Sequence, residues 1–143
     1  MNVEHILSEK GHEVVTIAPH LTLAEAARAL SQHRIGAVVV SDPGQPVLGI
    51  LSERDIVRAV AANGAAALEE PVSRYMTAEV VTCTTRSAIN DLMETMTTGK
   101  FRHVPIVENE RLVGIVSIGD IVKFRVAEIE RESEALREYI ATA

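Results

Sequence analysis

Gly49-Ile50-Leu51-Ser52-Glu53-Arg54-Asp55-Ile56-Val57 returns 65 residues later as Gly114-Ile115-Val116-Ser117-Ile118-Gly119-Asp120-Ile121-Val122, with six of the nine positions identical. Val15-Thr16 and Val81-Thr82 form a second matched pair, 66 residues apart, so one residue is lost between the two markers. Its expected place is the hairpin turn, where a change of length disturbs least. A duplication on this scale sets the architecture before local propensities are weighed.

Outward from the motif, the two copies read alike. A short strand ends at Ile17 in the first and at Cys83 in the second. Leu23, Ala26, Ala27 and Leu30 then recur at i, i+3, i+4 and i+7, as do Ile89, Leu92, Met93 and Met96, which is one apolar face of a helix. Thr22 with Glu25 spells a capping box at the start of the first helix; the second has only Ser87 nearby. Two apolar runs follow, Ala37 to Val40 and Val47 to Leu51, around Asp42-Pro43-Gly44-Gln45-Pro46. The second copy has Val104 to Val107 and Leu112 to Val116 around Glu108-Asn109-Glu110-Arg111. Both pairs read as hairpins of mostly buried strands. Pro105 inside its run points to an edge or to the first residues of a strand. A further helix begins at Ser52 or Ser117, and Asn63-Gly64 marks the end of the first one.

The expected fold class is therefore α/β (α+β), two β-α-β-β-α repeats with an extended C-terminal helix. About 45 residues make a marginal core, so the copies are expected to pack on each other. Along the chain, residues 1–66 hold the first repeat with its lead-in, 67–126 the second with its own, and 127–143 a helical extension. Val3 to Leu7 and Val72 to Thr77 read as short lead-in helices. In the extension Val122, Val126, Ile129, Ser133, Leu136 and Ile140 are spaced 4, 3, 4, 3, 4, an a/d-like seam flanked by charged residues. A solvated helix on its own domain and a helix packed on a second subunit both fit; the expectation preferred is a dimer contact.

Composition narrows the function. The 143 residues are 47% hydrophobic and 24% charged, a globular composition. Lys plus Arg number 14 against 20 Asp plus Glu, a net charge of −6, which weighs against a generic nucleic-acid binder. Aromatics at 3% with no Trp weigh against a stacking platform for single strands. The lone Cys83 excludes an internal disulfide and reads as a packed thiol. No run reaches 18 apolar residues and Met1 to Lys10 has no apolar signal core, so the expectation is a cytoplasmic protein without a membrane span. His5, His12, His20, His33 and His103 show no metal-ligand spacing. No nucleophile–base pair or phosphate-binding loop stands out, which predicts no enzyme activity.

The duplicated Gly-hydrophobic-hydrophobic-Ser-x-x-Asp motif, the apolar hairpins and the Val-Thr openings resemble the CBS domain, the module named after cystathionine β-synthase. The resemblance covers Val3 to Val126, nearly the whole chain, as a tandem pair or Bateman module. It implies sheet-to-sheet packing with pseudo-twofold symmetry and two clefts between the repeats. Adenine ligands such as AMP, ADP, ATP, S-adenosylmethionine or NAD bind such clefts. It also implies pairing of two chains into a disc, and a role in sensing nucleotide state for a protein partner.

Carried over position by position, the resemblance puts Asp55 and Asp120 on the ribose hydroxyls. A carboxylate is suited to accept from two adjacent donors. The same Ser-x-x-Asp spacing is also a helix capping box, and the two roles are compatible. Ser52 and Ser117 open helices whose exposed N–H groups favour phosphate. Arg54 matches a phosphate-facing position, whereas Ile118 and Gly119 leave the second copy only backbone there, so the two sites are not expected to be equivalent. Glu53 points to solvent or disfavours a polyphosphate. Lys100-Phe101-Arg102-His103, followed by Pro105, is a basic cluster that lines a cleft in the family, and a solvated loop otherwise. Its first-copy counterpart is Arg34, Gly36 and Ala37. Thr16 and Thr82 flank the adenine edge. AMP is the first expectation, since a small basic cluster suits one phosphate, with NAD(H), ATP or S-adenosylmethionine behind it. The rival reading is a ligand-free oligomerisation or protein-interaction scaffold.

Overall fold

The computed structural model describes residues 1–142. Helix α1 (Val3–Lys10) leads into strand β1 (Thr16–Ile17), helix α2 (Leu23–His33), hairpin β2 (Ala37–Asp42) and β3 (Gln45–Ser52), and helix α3 (Glu53–Asn63). A 3-10 turn (Ala65–Glu69) and α4 (Val72–Tyr75) bridge to α5 (Ile89–Gly99), hairpin β4 (His103–Glu108) and β5 (Arg111–Ser117), and α6 (Ile118–Thr142). This is the mixed α+β duplication expected from the motif. Thr22 accepts from the Glu25 N–H and Glu25 from the Thr22 N–H, which completes the first capping box. The second helix has Ala88 at the same place and no side-chain cap.

The first sheet has three strands in the order β1-β2-β3, and the second has only β4-β5. The strand expected to end at Cys83 is thus reduced to one parallel bridge with Ile106. Pro105 supplies the reason. In the first repeat the Val39 N–H donates to the Val15 carbonyl. The register places Pro105 where Val39 stands, opposite Ile115 as Val39 is opposite Ile50. Proline has no N–H to give, so residues ahead of Cys83 leave the sheet. Only Cys83 N–H to the Pro105 carbonyl and Val107 N–H to the Cys83 carbonyl remain.

The missing residue is also not in the turn. Both hairpins close on two-residue turns, Asp42 opposite Gln45 and Glu108 opposite Arg111. The difference lies in the bulges behind them: Gln45 to Gly49 spans one residue more than Arg111 to Gly114. A bulge absorbs an extra residue at an irregular strand start, here beside Pro46.

Two separate cores form, and the segment that precedes one repeat packs on the other. Val3, Ile6 and Leu7 of α1 are buried with Ile89, Leu92, Met96, Val104, Ile106, Val116, Ile121 and Phe124. Ala67 and Val72 of the linker are buried with Leu23, Leu30, Val38, Val40 and Leu51. Backbone bonds repeat the pattern: Val3 N–H donates to the Ser87 carbonyl, and Val72 N–H to the Leu21 carbonyl. The motif glycines allow this approach. A Cβ on Gly49 would stand 2.7 Å from the Thr77 carbonyl oxygen and 2.8 Å from Met76 Sδ. The atoms nearest a Cβ on Gly114 would be those of the Leu7 side chain, 2.7 Å to its nearer methyl.

The two positions should therefore respond differently to one methyl group. Gly49→Ala, pressed on backbone, is expected to lose about 1–3 kcal/mol by overpacking, and Gly114→Ala less, because Leu7 can change rotamer. Urea unfolding of the two variants checks the order; equal losses would contradict it.

Candidate functional site

A cavity of about 320 Å³ opens where the repeats meet. It is lined by Gly36, Ile50, Ser52, Glu53, Arg54, Asp55 and Arg58 of the first repeat, Thr77 to Val81 of the linker except Ala78, and Lys100, Phe101, Arg102 and His103 of the second. The volume is within the usual range for small-ligand sites. Four cationic side chains, Arg54, Arg58, Lys100 and Arg102, share it with three carboxylates, Glu53, Asp55 and Glu79. In a chain of net charge −6, that local balance suits an anionic group.

Asp55 is the third residue of α3, which starts where β3 leaves the sheet. Its Oδ2 accepts from the Ser52 N–H at 2.9 Å and from the Ser52 hydroxyl at 3.0 Å, and the Asp55 N–H donates back to that hydroxyl at 3.2 Å. The capping box is real and uses one carboxylate oxygen. The other, Oδ1, has no hydrogen-bond partner among the described residues. The cap fixes the rotamer that leaves Oδ1 unengaged, so the two readings of this residue are compatible in one geometry. At the start of α3 the Glu53 N–H donates to the Gly36 carbonyl and the Asp55 N–H to the Ser52 hydroxyl, so what the helix start adds to this cavity is chiefly its dipole.

Lys100 is the left-handed C-cap of α5, with φ 57°, and Arg34 caps α2 in the same way with φ 53°. Lys100 lines the cavity, whereas Arg34 lies in a neighbouring shallow groove with Ile35, Ile56 and Val57. Gly36 brings the repeats together: a Cβ there would stand 3.0 Å from Glu53 Oε1 and 3.6 Å from His103 Nε2. Of the residues expected at a site, Gly36, Ser52, Arg54, Asp55, Lys100, Phe101, Arg102 and His103 converge on the cavity.

The remainder do not line it. Ala37 is buried inside β2, Thr16 and Thr82 are exposed, and Pro105 is a buried strand residue whose part is to break the third strand. Ser117, Ile118, Gly119 and Asp120 stand at the start of α6. There the Asp120 carboxylate accepts from the Ser117 N–H at 2.8 Å and from the Lys10 ammonium at 2.6 Å. Sequence reading missed Ile50, Arg58, Thr77, Glu79, Val80 and Val81. Val80 and Val81 supply an apolar wall because Pro105 keeps them out of the sheet, and Val81 is 44% exposed. Among the described residues no group of His, Cys, Asp and Glu is placed to hold a metal ion, and no helix is long and apolar enough to cross a membrane.

Burial, and then the Lys10 charge, push the His103 imidazole below its ordinary range, against the opposing pull of Asp120 and Glu53. Burial pushes the Asp120 carboxyl up, but Lys10 and Ser117 outweigh it and hold the group below the ordinary carboxylate range. Both shifts have one sign for stability, since the unfolded chain takes up the proton first. Stability should fall as pH drops through the ordinary histidine value of about 6.5, and fall again below about 4 as Asp120 loses its advantage. His103→Asn is expected to flatten the upper part of that curve between roughly pH 7.5 and 5.5. Thermal melts across the range read it, and an unchanged slope would rule out His103 as its source.

The chain was compared with known proteins. The family model for the CBS domain matches residues 3–62 and again 72–127. A 17.7 kDa protein of Acidianus ambivalens is 38% identical over 112 residues, 78% of this chain and 66% of its own length. The mitochondrial CBS domain-containing protein CBSX3 of Arabidopsis thaliana is 35% identical over 83% of this chain and 60% of its own. The chain thus spans less than two thirds of these relatives. Among solved structures, a CBS-domain containing protein from Agrobacterium tumefaciens superposes with a TM-score of 0.84 at 54% identity, covering 87% of this chain and 99% of that one. A CBS domain protein of Pyrobaculum aerophilum complexed with AMP matches at TM-score 0.73 and 28% identity, over 84% of this chain and 89% of its own. The CBS domain pair of protein MJ0100, in complex with 5′-methylthioadenosine and S-adenosyl-L-methionine, matches at 0.80 and 26%, over 90% and 98%. With both repeats matched end to end, this chain belongs to the CBS-domain family.

Proposed function

We propose that this chain is a non-catalytic regulatory module that binds an adenine nucleotide in the cavity around Asp55, AMP first and NAD(H), ATP or S-adenosylmethionine after it. The observation that carries the reading is Asp55 itself, a carboxylate fixed by its cap with Oδ1 left unengaged inside a cationic cavity. Two ribose hydroxyls donate to it. The phosphate lies toward the start of α3, Arg54, Lys100 and Arg102, whose guanidinium and ammonium groups supply charge-assisted bonds. Ile50, Val80 and Val81 give the base an apolar surface. AMP complexed with the Pyrobaculum aerophilum protein, and the adenosine derivatives on the MJ0100 pair, support the ligand class.

Because the cavity is built from both repeats and the linker, a ligand there binds one packing of the repeats better than another. Signalling follows as a population shift, limited by the difference in affinity for the two states. The module itself turns nothing over.

A second observation favours assembly. Val122, Val126, Ile129, Leu136 and Ile140 of α6 are 57%, 48%, 63%, 59% and 66% exposed, so the seam is left without a partner inside one chain. A homodimer that buries it accounts for these side chains, and a protein partner on the same face is the scaffold alternative.

Isothermal titration of nucleotide-stripped protein against AMP, ATP, NAD, NADH and S-adenosylmethionine tests the ligand reading. Micromolar binding of one of them is expected, weakened about 10- to 100-fold in Asp55→Ala, the worth of hydrogen bonds to a charged group. A melting curve of Asp55→Ala accounts separately for its lost cap, about 1 kcal/mol. No binding across the panel would overturn the nucleotide reading and leave the scaffold. Deletion of residues 131–143 is expected to weaken the dimer in light scattering; a dimer that persists unchanged would remove this helix from assembly.

A further inference from the structure

Helix α6 is longer than its own domain needs. Its first turns lie on the second core through Ile121 and Phe124, which are 1% and 5% exposed, and Glu128 continues that side. From Ile129 to Thr142 every residue is exposed, so the second half of the helix runs free of the body. A lone helix of about 12–15 residues is marginal in water, so this half calls for a covering surface.

The period of the seam says where the cover goes, and the charges beside it say which way the cover runs. Written as heptads, Val126, Ser133 and Ile140 stand at a, and Val122, Ile129 and Leu136 at d. Ile121 and Glu128 fall at c and Phe124 at f, on the opposite side, so the domain holds one face of α6 and leaves the other open. Beside the seam, Arg125 and Glu132 are g residues, and Lys123, Glu130 and Arg137 are e residues. In two parallel helices in register, a g residue lies beside the e residue five places further along the other helix. The spacing is met twice, 130 − 125 = 5 and 137 − 132 = 5. Arg125 then meets Glu130 of the second copy, Glu132 meets Arg137, and twofold symmetry repeats both, so all four contacts join opposite charges. Arg125 already donates to Glu128 of its own helix through Nη1 at 3.2 Å, and the rest of its guanidinium fork is available to Glu130 of the copy.

Antiparallel helices pair e with e and g with g. Overlapping the whole seam that way sets Glu130 on Glu130, Glu132 on Glu132 and Lys123 on Arg137, all like charges, and puts the Ser133 hydroxyl against Ile129. Sliding by one heptad relieves the charges but leaves two seam residues of each chain uncovered. In the parallel pair Ser133 meets its own copy, hydroxyl to hydroxyl.

We propose that α6 pairs with α6 of a second copy of this chain as a parallel, in-register two-helix stalk. The proposal rests on the homodimer reading and adds its orientation: both helices start at the same end, so the two second repeats stand side by side. Exposed ion pairs contribute little each, so the apolar seam supplies the hold and the e and g charges choose between directions. The pattern is self-complementary, as a twofold contact between identical chains requires.

Oxidative cross-linking of the full-length chain tests it. With Cys83→Ser removing the native thiol, Ser133→Cys places one thiol per chain on the seam. A parallel pair in register brings the two together, and a disulfide-linked dimer is expected to dominate on a non-reducing gel after incubation in a glutathione redox buffer. Glu138→Cys, at f on the outer face, is the collision control and is expected to stay largely unlinked. In an antiparallel seam a residues meet d residues, so Ser133→Cys that links no faster than the control, in a protein that light scattering shows to be dimeric, would overturn the orientation and leave the homodimer standing. Glu132→Lys is expected to weaken the dimer about 3- to 10-fold, the loss of two ion pairs, and Glu132→Lys combined with Arg137→Glu to restore it. A single variant without effect, or a double variant no better than the single, would also overturn the orientation. A chain that stays monomeric, or a dimer unchanged by deletion of residues 131–143, overturns the homodimer through α6 and the orientation with it.

Discussion

The chain is held together by an exchange: α1 completes the core of the second repeat, and the linker after α3 completes the core of the first. Neither hairpin-and-helix unit could bury its apolar face alone. The exchange brings the linker backbone against Gly49 and the Leu7 side chain against Gly114, close approaches that a glycine admits most easily. It also determines what stands beside each motif aspartate. α1 delivers Lys10 to Asp120, and the linker delivers Glu79, Val80 and Val81 to the cavity at Asp55. Departures from the repeat in the sequence thus become a chemical difference between the surroundings of Asp55 and those of Asp120.

The Ser-x-x-Asp box links fold and site. A cap needs one carboxylate oxygen, and a carboxylate has two. Because Ser52 holds Oδ2, the rotamer of Asp55 is fixed before any ligand arrives, which lowers the ordering cost of binding. The same box at Asp120 shows that geometry alone does not make a site. There the Lys10 ammonium shares Oδ2 with the Ser117 N–H, and Asp120 lies outside the cavity.

Much of this was legible in the residues. The duplicated nine-residue stretch, the i, i+3, i+4, i+7 faces and the Asn63-Gly64 stop follow from periodicity and cap chemistry, which are local and therefore visible in sequence. The family resemblance also points to eight of the residues that meet at the cavity, from Gly36 to His103. What was not legible is long-range. No periodicity says that Val3 packs on Ile89 and not on its neighbour in sequence, so the pairing of Lys10 with Asp120 was invisible. Pro105 signals a strand edge in the sequence, and the family resemblance makes it a cleft residue. Its actual consequence, the release of Val80 and Val81 to form an apolar wall, needs the register that pairs it with Ile115. The extra residue of the first hairpin was misplaced for the same reason, since bulges are set by pairing.

The most direct test of the central claim is a crystal structure of the chain grown with AMP. The account expects the nucleotide in the cavity between the repeats, its ribose hydroxyls on Asp55 Oδ1 and its phosphate among Arg54, Lys100 and Arg102. A ligand seated instead against Asp120, with Lys10 swung away and the Asp55 cavity empty, would contradict it.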